Sequence, residues 1–282
     1  MTGPVVVSTI APADAAVVAE AAPTERTGRR RFLYALNPLA KFAAPAPAMI
    51  ALLAVRDLRT PAVFLAIAYV VLLAGVRVSP RVALVLFAAV PAAVVVIGVG
   101  FSVWADAARV SHEVVILSLG SWTLYGGALE VGFATALRLG AILTLALIGG
   151  LTTTGPDLTR SMIQQLRVPY RVGYTALAAF RFVPRFGHEL DVIRAAHRVR
   201  GAAQGRGPIA ALRRRMGYVV PLLAGAIRHA ERVALSMDAR GFGAFATRTE
   251  RYLVPFRARD VVFVVVFWAA TAVVLLVLRP WA

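Results

Sequence analysis

Two arginine–glycine pairs are the residues of this chain best suited to bind a charged group. Gly201 follows Arg200 and Gly241 follows Arg240, and each pair comes at the end of a run compatible with a helix. Glycine commonly ends a helix because it adopts the left-handed conformation without steric cost. An arginine at the last turn would present a rigid guanidinium fork, which suits bidentate pairing with carboxylates of another protein.

The sequence carries no motif that indicates catalysis. It contains no cysteine, which excludes disulfides, thiol nucleophiles and thiolate metal sites. Its single lysine, Lys41, does not follow a glycine, as the lysine of a phosphate-binding loop does. Residues 241–246 superficially match a dinucleotide-binding fingerprint, but the sequence before them is helical, whereas that fingerprint requires a strand.

Apolar helices must hold these arginines in place. Runs with few or no charges cover residues 42–55, 62–76, 82–103, 129–151 and 261–278. A helix needs about 20 residues to cross the hydrocarbon core, so the first two runs are short. Pro91 is expected to interrupt the third run. Since 59% of the residues are apolar, we predict an all-α polytopic membrane protein with about five transmembrane helices.

The charge is concentrated in one part of the chain. Of the net charge of +17, residues 156–260 supply +12, from 19 arginines and seven acidic residues. Positively charged segments stay on the cytoplasmic side. We therefore predict a disordered cytoplasmic tail at 1–31, four spans within 32–155, a cytoplasmic arginine-rich domain at 156–260 and a last span within 261–282. Anionic lipid head groups would attract many of these arginines, and the tethering between two spans argues against nucleic-acid binding.

Two charged residues interrupt the fourth apolar run. Glu130 lies near its start, and Arg138 follows eight residues later. A charge inside a membrane span is costly and commonly marks a functional site. Packing against a partner subunit or snorkelling toward the surface explains Arg138 equally well, so both interpretations stay open.

Residues 216–240 have the periodicity of an amphipathic helix that ends at Arg240. Apolar residues recur at helical spacing from Leu222 to Met237. The opposite face carries Arg228, His229, Glu231, Arg232 and Asp238. We expect the apolar stripe to pack against neighbouring helices or a partner protein.

The stretch 237–243, Met-Asp-Ala-Arg-Gly-Phe-Gly, resembles the signature of the transmembrane T component (EcfT or CbiQ-like family) of energy-coupling factor (ECF) transporters. That family carries two Ala-Arg-Gly-like motifs on cytoplasmic coupling helices. The second motif is Ala239, Arg240 and Gly241. The first, Val199, Arg200 and Gly201, has valine in place of alanine. Further similar motifs follow in the family's order across residues 32–278: Asn37-Pro38-Leu39-Ala40-Lys41, Thr153-Thr154, Leu166-Arg167-Val168-Pro169, Arg181-Phe182-Val183-Pro184 and Pro221-Leu222-Leu223.

The resemblance implies a multi-pass scaffold of the bacterial plasma membrane that is not an enzyme. Two ABC-type ATPase subunits, identical or different, would bind ATP and Mg²⁺ and would seat Arg200 and Arg240 in their grooves. A separate membrane subunit, the S component, would bind the vitamin or the metal ion, such as cobalt. The chain itself would need no cofactor and no metal and would bind no nucleic acid.

An ordinary ABC importer permease, with its own substrate pathway, is the alternative. Such permeases bind their ATPases through a Glu-Ala-Ala loop between spans. Here Glu20-Ala21-Ala22 lies in the N-terminal tail, which disfavours that alternative.

Overall fold

The computed structural model describes residues 31–77, 79–104, 115–119, 122–200, 207–246, 249–250 and 252–279. The first part of this chain is helical: α1 Phe32–Ala35, α2 Pro38–Ala43, α3 Ala46–Ala54 and α4 Arg59–Gly75. Asn37 caps α2, because its side-chain oxygen accepts a 2.9 Å hydrogen bond from the Leu39 amide. Pro38 at the first helical position needs no hydrogen-bond partner for its nitrogen.

Three later helices are long and apolar enough to cross a membrane by length and composition: α5 Pro80–Trp104, α6 Gly126–Gly150 and α11 Ala258–Leu278. Two shorter apolar helical stretches, Pro38–Ala54 and Arg59–Gly75, contain most of the first two predicted runs. Seventeen residues of α4 extend only about 25 Å, less than the roughly 30 Å hydrocarbon core. The five predicted runs are therefore helical, and the first two are as short as expected.

The interruption predicted at Pro91 is a π-helical turn. It covers Val85–Ala89, directly before Val90 and Pro91 within α5. Proline lacks the amide hydrogen that the helix ladder uses, and π turns accommodate such a break.

Two short strands interrupt the otherwise helical architecture. β1 Val115–Leu119 and β2 Trp122–Tyr125 pair antiparallel, with Leu119 opposite Trp122, and β2 runs directly into α6. These residues lie between the third and fourth apolar runs, and no strand was predicted there.

The core lies where α1, α3, α4 and α6 meet. Its largest fully buried apolar side chains are Leu33, Leu52, Phe64, Leu72, Leu86, Leu145 and Ile148, of which Leu86 comes from α5. Small residues bring α5 against α6: a Cβ on Gly132 would lie 2.6 Å from the Gly98 carbonyl oxygen and 2.7 Å from the Ser102 nitrogen. Arg31, which we predicted to end the disordered tail, instead donates to the carbonyl oxygens of Leu73 and Val76 at the end of α4; the remainder of that tail lies outside the described residues.

The arginine-rich segment folds into α7 Gly155–Gln165, α8 Tyr170–Val199, α9 Pro208–Gly217 and α10 Val219–Asp238. The helix predicted at 216–240 is therefore two helices, because α9 includes Met216 and Gly217 and a turn at Tyr218 separates it from α10. Side chains of α7 hold the segment that leads into α11. Gln164 exchanges 2.8 Å hydrogen bonds with the Tyr252 carbonyl and the Val254 amide.

Candidate functional site

The first motif lies at the end of α8. Val199 is the last helical residue, and the Arg200 amide donates a 3.1 Å hydrogen bond to the Ala196 carbonyl. Both side chains are exposed, with Val199 at 89% of its full exposure. Gly201 lies outside the described residues. Within the described residues, the Arg200 guanidinium has no hydrogen-bond or ion-pair partner.

The second motif ends α10 in the way the sequence predicts. The Phe242 amide donates to the Met237 carbonyl at 3.0 Å, and the Gly241 amide donates to the Asp238 carbonyl at 2.9 Å. These two bonds form a Schellman motif, in which the residue after the cap is left-handed. Gly241 supplies this conformation with φ of +69°. Arg240 therefore occupies the cap position, where its side chain is exposed.

The start of α8 holds the loop that follows Arg240. The Tyr170 ring meets the Phe242 ring edge-on with centroids 5.9 Å apart, and its hydroxyl donates to the Phe245 carbonyl at 2.6 Å. The Arg171 guanidinium donates to the Gly243 carbonyl, also at 2.6 Å. Tyr170 and Arg171 were not predicted to have a role, because no local pattern links them to residues 72 to 75 positions later.

α8 and α10 pack antiparallel. Their contacts run in opposite order along the two helices: the Phe182 ring lies 4.4 Å from the His229 ring, and the His197 ring lies 5.1 Å from the Tyr218 ring. Arg200 therefore follows the end of α8 that meets the start of α10, while Arg240 lies near the start of α8. α10 has 20 residues, so roughly 30 Å of helix separates the two arginines.

The apolar stripe predicted on α10 divides between two environments. Leu222, Val233 and Met237 are half-buried, whereas Leu223 and Ile227 are 58% and 52% exposed. His229, which we placed on the polar face, instead packs against Phe182 of α8. The helix pair thus covers only part of its apolar surface.

A buried polar cluster joins the arginine-rich segment to the membrane helices. Lys41, directly before the first apolar run, is 2% exposed and donates a 2.8 Å hydrogen bond to the Thr152 carbonyl. Asp260, 1% exposed, accepts from the amides of Asn37 and Arg257, each at 2.7 Å. Desolvation by burial lowers the pKa of Lys41 to about 8, although Asp157 and Asp260 oppose this shift. Lys41 stands out in the sequence as the only lysine, but nothing in the sequence indicated that Asp260 lies near it.

The two charged residues of α6 are not paired with each other. Arg138 donates to the Val55 carbonyl at 3.0 Å and to the Thr135 hydroxyl at 3.3 Å, and so binds the residue that follows α3. Glu130 is exposed near the start of α6. Across the described ranges, no group of three or more His, Cys, Asp and Glu side chains could hold a metal ion.

A family model described as "CbiQ: Cobalt transport protein" matches residues 29–251 of this chain. The matched range includes Lys41, both motif arginines and the whole α8–α10 pair. It ends before α11.

Curated relatives show the same similarity. The energy-coupling factor transporter transmembrane protein EcfT of Bacillus selenitireducens is 31% identical over 169 residues, which are 57% of this chain and 63% of that protein. EcfT of Bacillus subtilis is 28% identical over 162 residues, 53% of this chain and 60% of that protein. A putative ABC transporter ATP-binding protein of Bifidobacterium longum is 26% identical over 166 residues, 55% of this chain and 21% of that protein. The match thus spans about three fifths of the two EcfT relatives.

Proposed function

Because this chain belongs to the CbiQ family of cobalt transport proteins, we propose that it is the T component of an ECF transporter. In this role it is a non-catalytic membrane scaffold. It couples ATP hydrolysis by partner ATPases to the uptake of a vitamin or metal ion held by a separate S component. The observation that carries the proposal is the placement of Arg200 and Arg240 at opposite ends of one antiparallel helix pair.

Two separated arginines suit two ATPase subunits. Roughly 30 Å of helix separates the motifs, so each guanidinium can enter a different subunit of an ATPase dimer, whether its subunits are identical or different. Each side chain is exposed at a helix end, where its planar fork can bind carboxylates bidentately. The pair can then act as a rigid lever that moves when the two ATPase subunits close on ATP and Mg²⁺.

The loop after Arg240 is held by the start of α8, so Arg240 would contact its ATPase subunit from a rigid position. A force applied at Arg240 passes into α10 through the Schellman cap and into the start of α8 through Tyr170 and Arg171. The buried cluster of Lys41 and Asp260 joins this part of the chain to α2 and α11. These contacts provide a continuous path from the ATPases to the membrane helices.

The uncovered apolar surface of the pair suits the S component. Leu223 and Ile227, on the side of α10 turned away from α8, are 58% and 52% exposed. An exposed apolar surface of this kind commonly marks a binding site for another protein. The substrate then binds to the S component, and this chain needs no cofactor or metal of its own.

The charge distribution supports an orientation with the helix pair in the cytoplasm. Residues 156–260 have a net charge of +12, with 19 arginines against seven acidic residues. Positive segments are retained on the cytoplasmic side of the bacterial plasma membrane, which is also where ATP is available. The N-terminus lies on the same side in this arrangement.

Charge reversal at the motifs tests the proposal. The chain is co-expressed with tagged ABC-type ATPase subunits of the same organism, and the recovered complex is measured after solubilisation. Arg200→Glu combined with Arg240→Glu should abolish co-purification while the chain stays in the membrane. Arg198→Glu combined with Arg232→Glu is the matched control, because both residues are exposed on the same two helices. Retention of the complex by the motif variant, or its loss in the control as well, would refute the proposal that Arg200 and Arg240 bind the ATPase subunits.

A further inference from the structure

α9, the short helix Pro208–Gly217 that links α8 to α10, has an apolar face turned away from the protein. Ile209, Leu212 and Met216 are 82%, 62% and 61% exposed. At about 100° per residue, these three side chains form one stripe. Ala210, Ala211 and Arg214 lie on the opposite side of the helix and are half-buried. The stripe is therefore exposed because the helix packs through its other face.

Arginines flank this stripe on both sides. Arg213 lies about 40° beyond Ile209, and Arg215 lies about 60° beyond Leu212 on the other edge. Both are exposed, and α9 contains no acidic residue. An apolar stripe bordered by cations is typical of helices that lie in a membrane interface, with the arginines at the level of the lipid phosphates.

We propose that α9 lies on the anionic cytoplasmic surface of the bilayer. In this arrangement Ile209, Leu212 and Met216 enter the boundary between head groups and acyl chains, and Arg213 and Arg215 bind lipid phosphates. Charge complementarity favours a lipid surface as the occupant, because the negative surface potential of an anionic membrane attracts a cluster of basic residues. The apolar helices α6 and α11 come before and after the arginine-rich segment in the chain and tether its two ends to the membrane.

The contact would fix one end of the helix pair. α9 begins at Pro208, after Arg200, and ends at Gly217, directly before Tyr218, whose ring packs against His197 near the end of α8. Binding of α9 to lipid therefore anchors the Arg200 end at the membrane, whereas the Arg240 end is held by Tyr170 and Arg171. This inference requires a membrane protein but does not depend on ATPase binding.

Because the chain contains no cysteine, a single introduced cysteine can be labelled specifically. Leu212→Cys is labelled with a fluorophore in the full-length chain, which is reconstituted without partners into nanodiscs of phosphatidylcholine with phosphatidylglycerol. Nitroxide-labelled lipid then quenches the probe. Ser236→Cys, exposed on α10, is the control position. We expect about threefold stronger quenching at residue 212 than at 236, and a return to the control level when Arg213→Glu and Arg215→Glu are added or when phosphatidylglycerol is omitted.

Two outcomes would overturn the proposal. In the first, aqueous iodide quenches both positions equally and lipid nitroxide quenches neither, so that α9 faces water. In the second, residue 212 becomes protected only after ATPase subunits are added, which would make the stripe a protein-binding surface. A failure of ATPase co-purification would leave the lipid result unaffected, so the two proposals fail independently.

Discussion

The Lys41 ammonium group donates a 2.8 Å hydrogen bond to the carbonyl oxygen of Thr152, across 111 residues of chain. This bond joins α2 to the loop between α6 and α7. Asp157 in the first turn of α7 and Asp260 in the first turn of α11 provide the opposing negative charges. A buried charge persists only when its surroundings compensate it, so the position of Lys41 depends on all three segments.

Lys41→Met tests this cluster. The methionine fills a similar volume but leaves the Thr152 carbonyl without its donor and removes the positive charge that attracts Asp157 and Asp260. Loss of a buried hydrogen bond to a charged group costs about 1–3 kcal/mol, which lowers the Tm of a chain of this size by roughly 3–10 °C. The Tm is measured by intrinsic tryptophan fluorescence of the purified chain in detergent.

Arg198→Met is the control for Lys41→Met, because it removes the same charge from an exposed side chain of α8. It should change Tm by less than about 2 °C. Equal decreases in the two variants would show that the effect comes from net charge, and the buried cluster would then have no special role.

Gly241→Ala tests whether the Schellman motif at the end of α10 orients the Arg240 side chain for binding. Alanine at φ of +69° is strained by about 1 kcal/mol, so the Schellman turn should open while the arginine itself remains. If the ATPases bind Arg240 as proposed, the yield of co-purified ATPase should fall severalfold with little change in membrane insertion.

Gly187→Ala is the matched control. Gly187 lies within α8, nothing lies within 4 Å of a Cβ there, and alanine favours a helix. A wild-type yield from Gly241→Ala would contradict the role of the cap.

Local signals explain what the sequence predicted correctly. Apolar runs and the glycine after Arg240 are signals that lie within one or two helical turns of the element they specify. The membrane helices and the end of α10 could therefore be predicted from the sequence alone. The short lengths of the first two runs were visible in the same way. Family resemblance, carried by residues 237–243, agrees with the match over residues 29–251.

Contacts between distant residues explain what the sequence did not show. The bond from the Asn37 amide to Asp260 spans 223 positions, and the antiparallel order of α8 and α10 depends on ring contacts that no periodicity encodes. The division of the α10 stripe follows from that pairing, because α8 covers one edge of the stripe and not the other. The break between α9 and α10 had local signals, because Gly217 ends α9 and Pro221 lies in the first turn of α10, but the apolar periodicity alone did not reveal it.

Arg138→Met separates a structural from a functional role for the charge within α6. Arg138 binds the carbonyl of Val55, which follows α3 and is 2% exposed. A charge-assisted hydrogen bond of this kind contributes about 1.5–3 kcal/mol. We therefore expect Arg138→Met to lower Tm by several degrees while ATPase co-purification stays at the wild-type level. Glu130→Gln, at an exposed position of the same helix, should change neither quantity. Loss of ATP-dependent uptake in both variants at an unchanged Tm would instead assign the two residues to a polar pathway through the membrane. Uptake is measured in cells that express the whole transporter, because the chain alone contains no proposed substrate site.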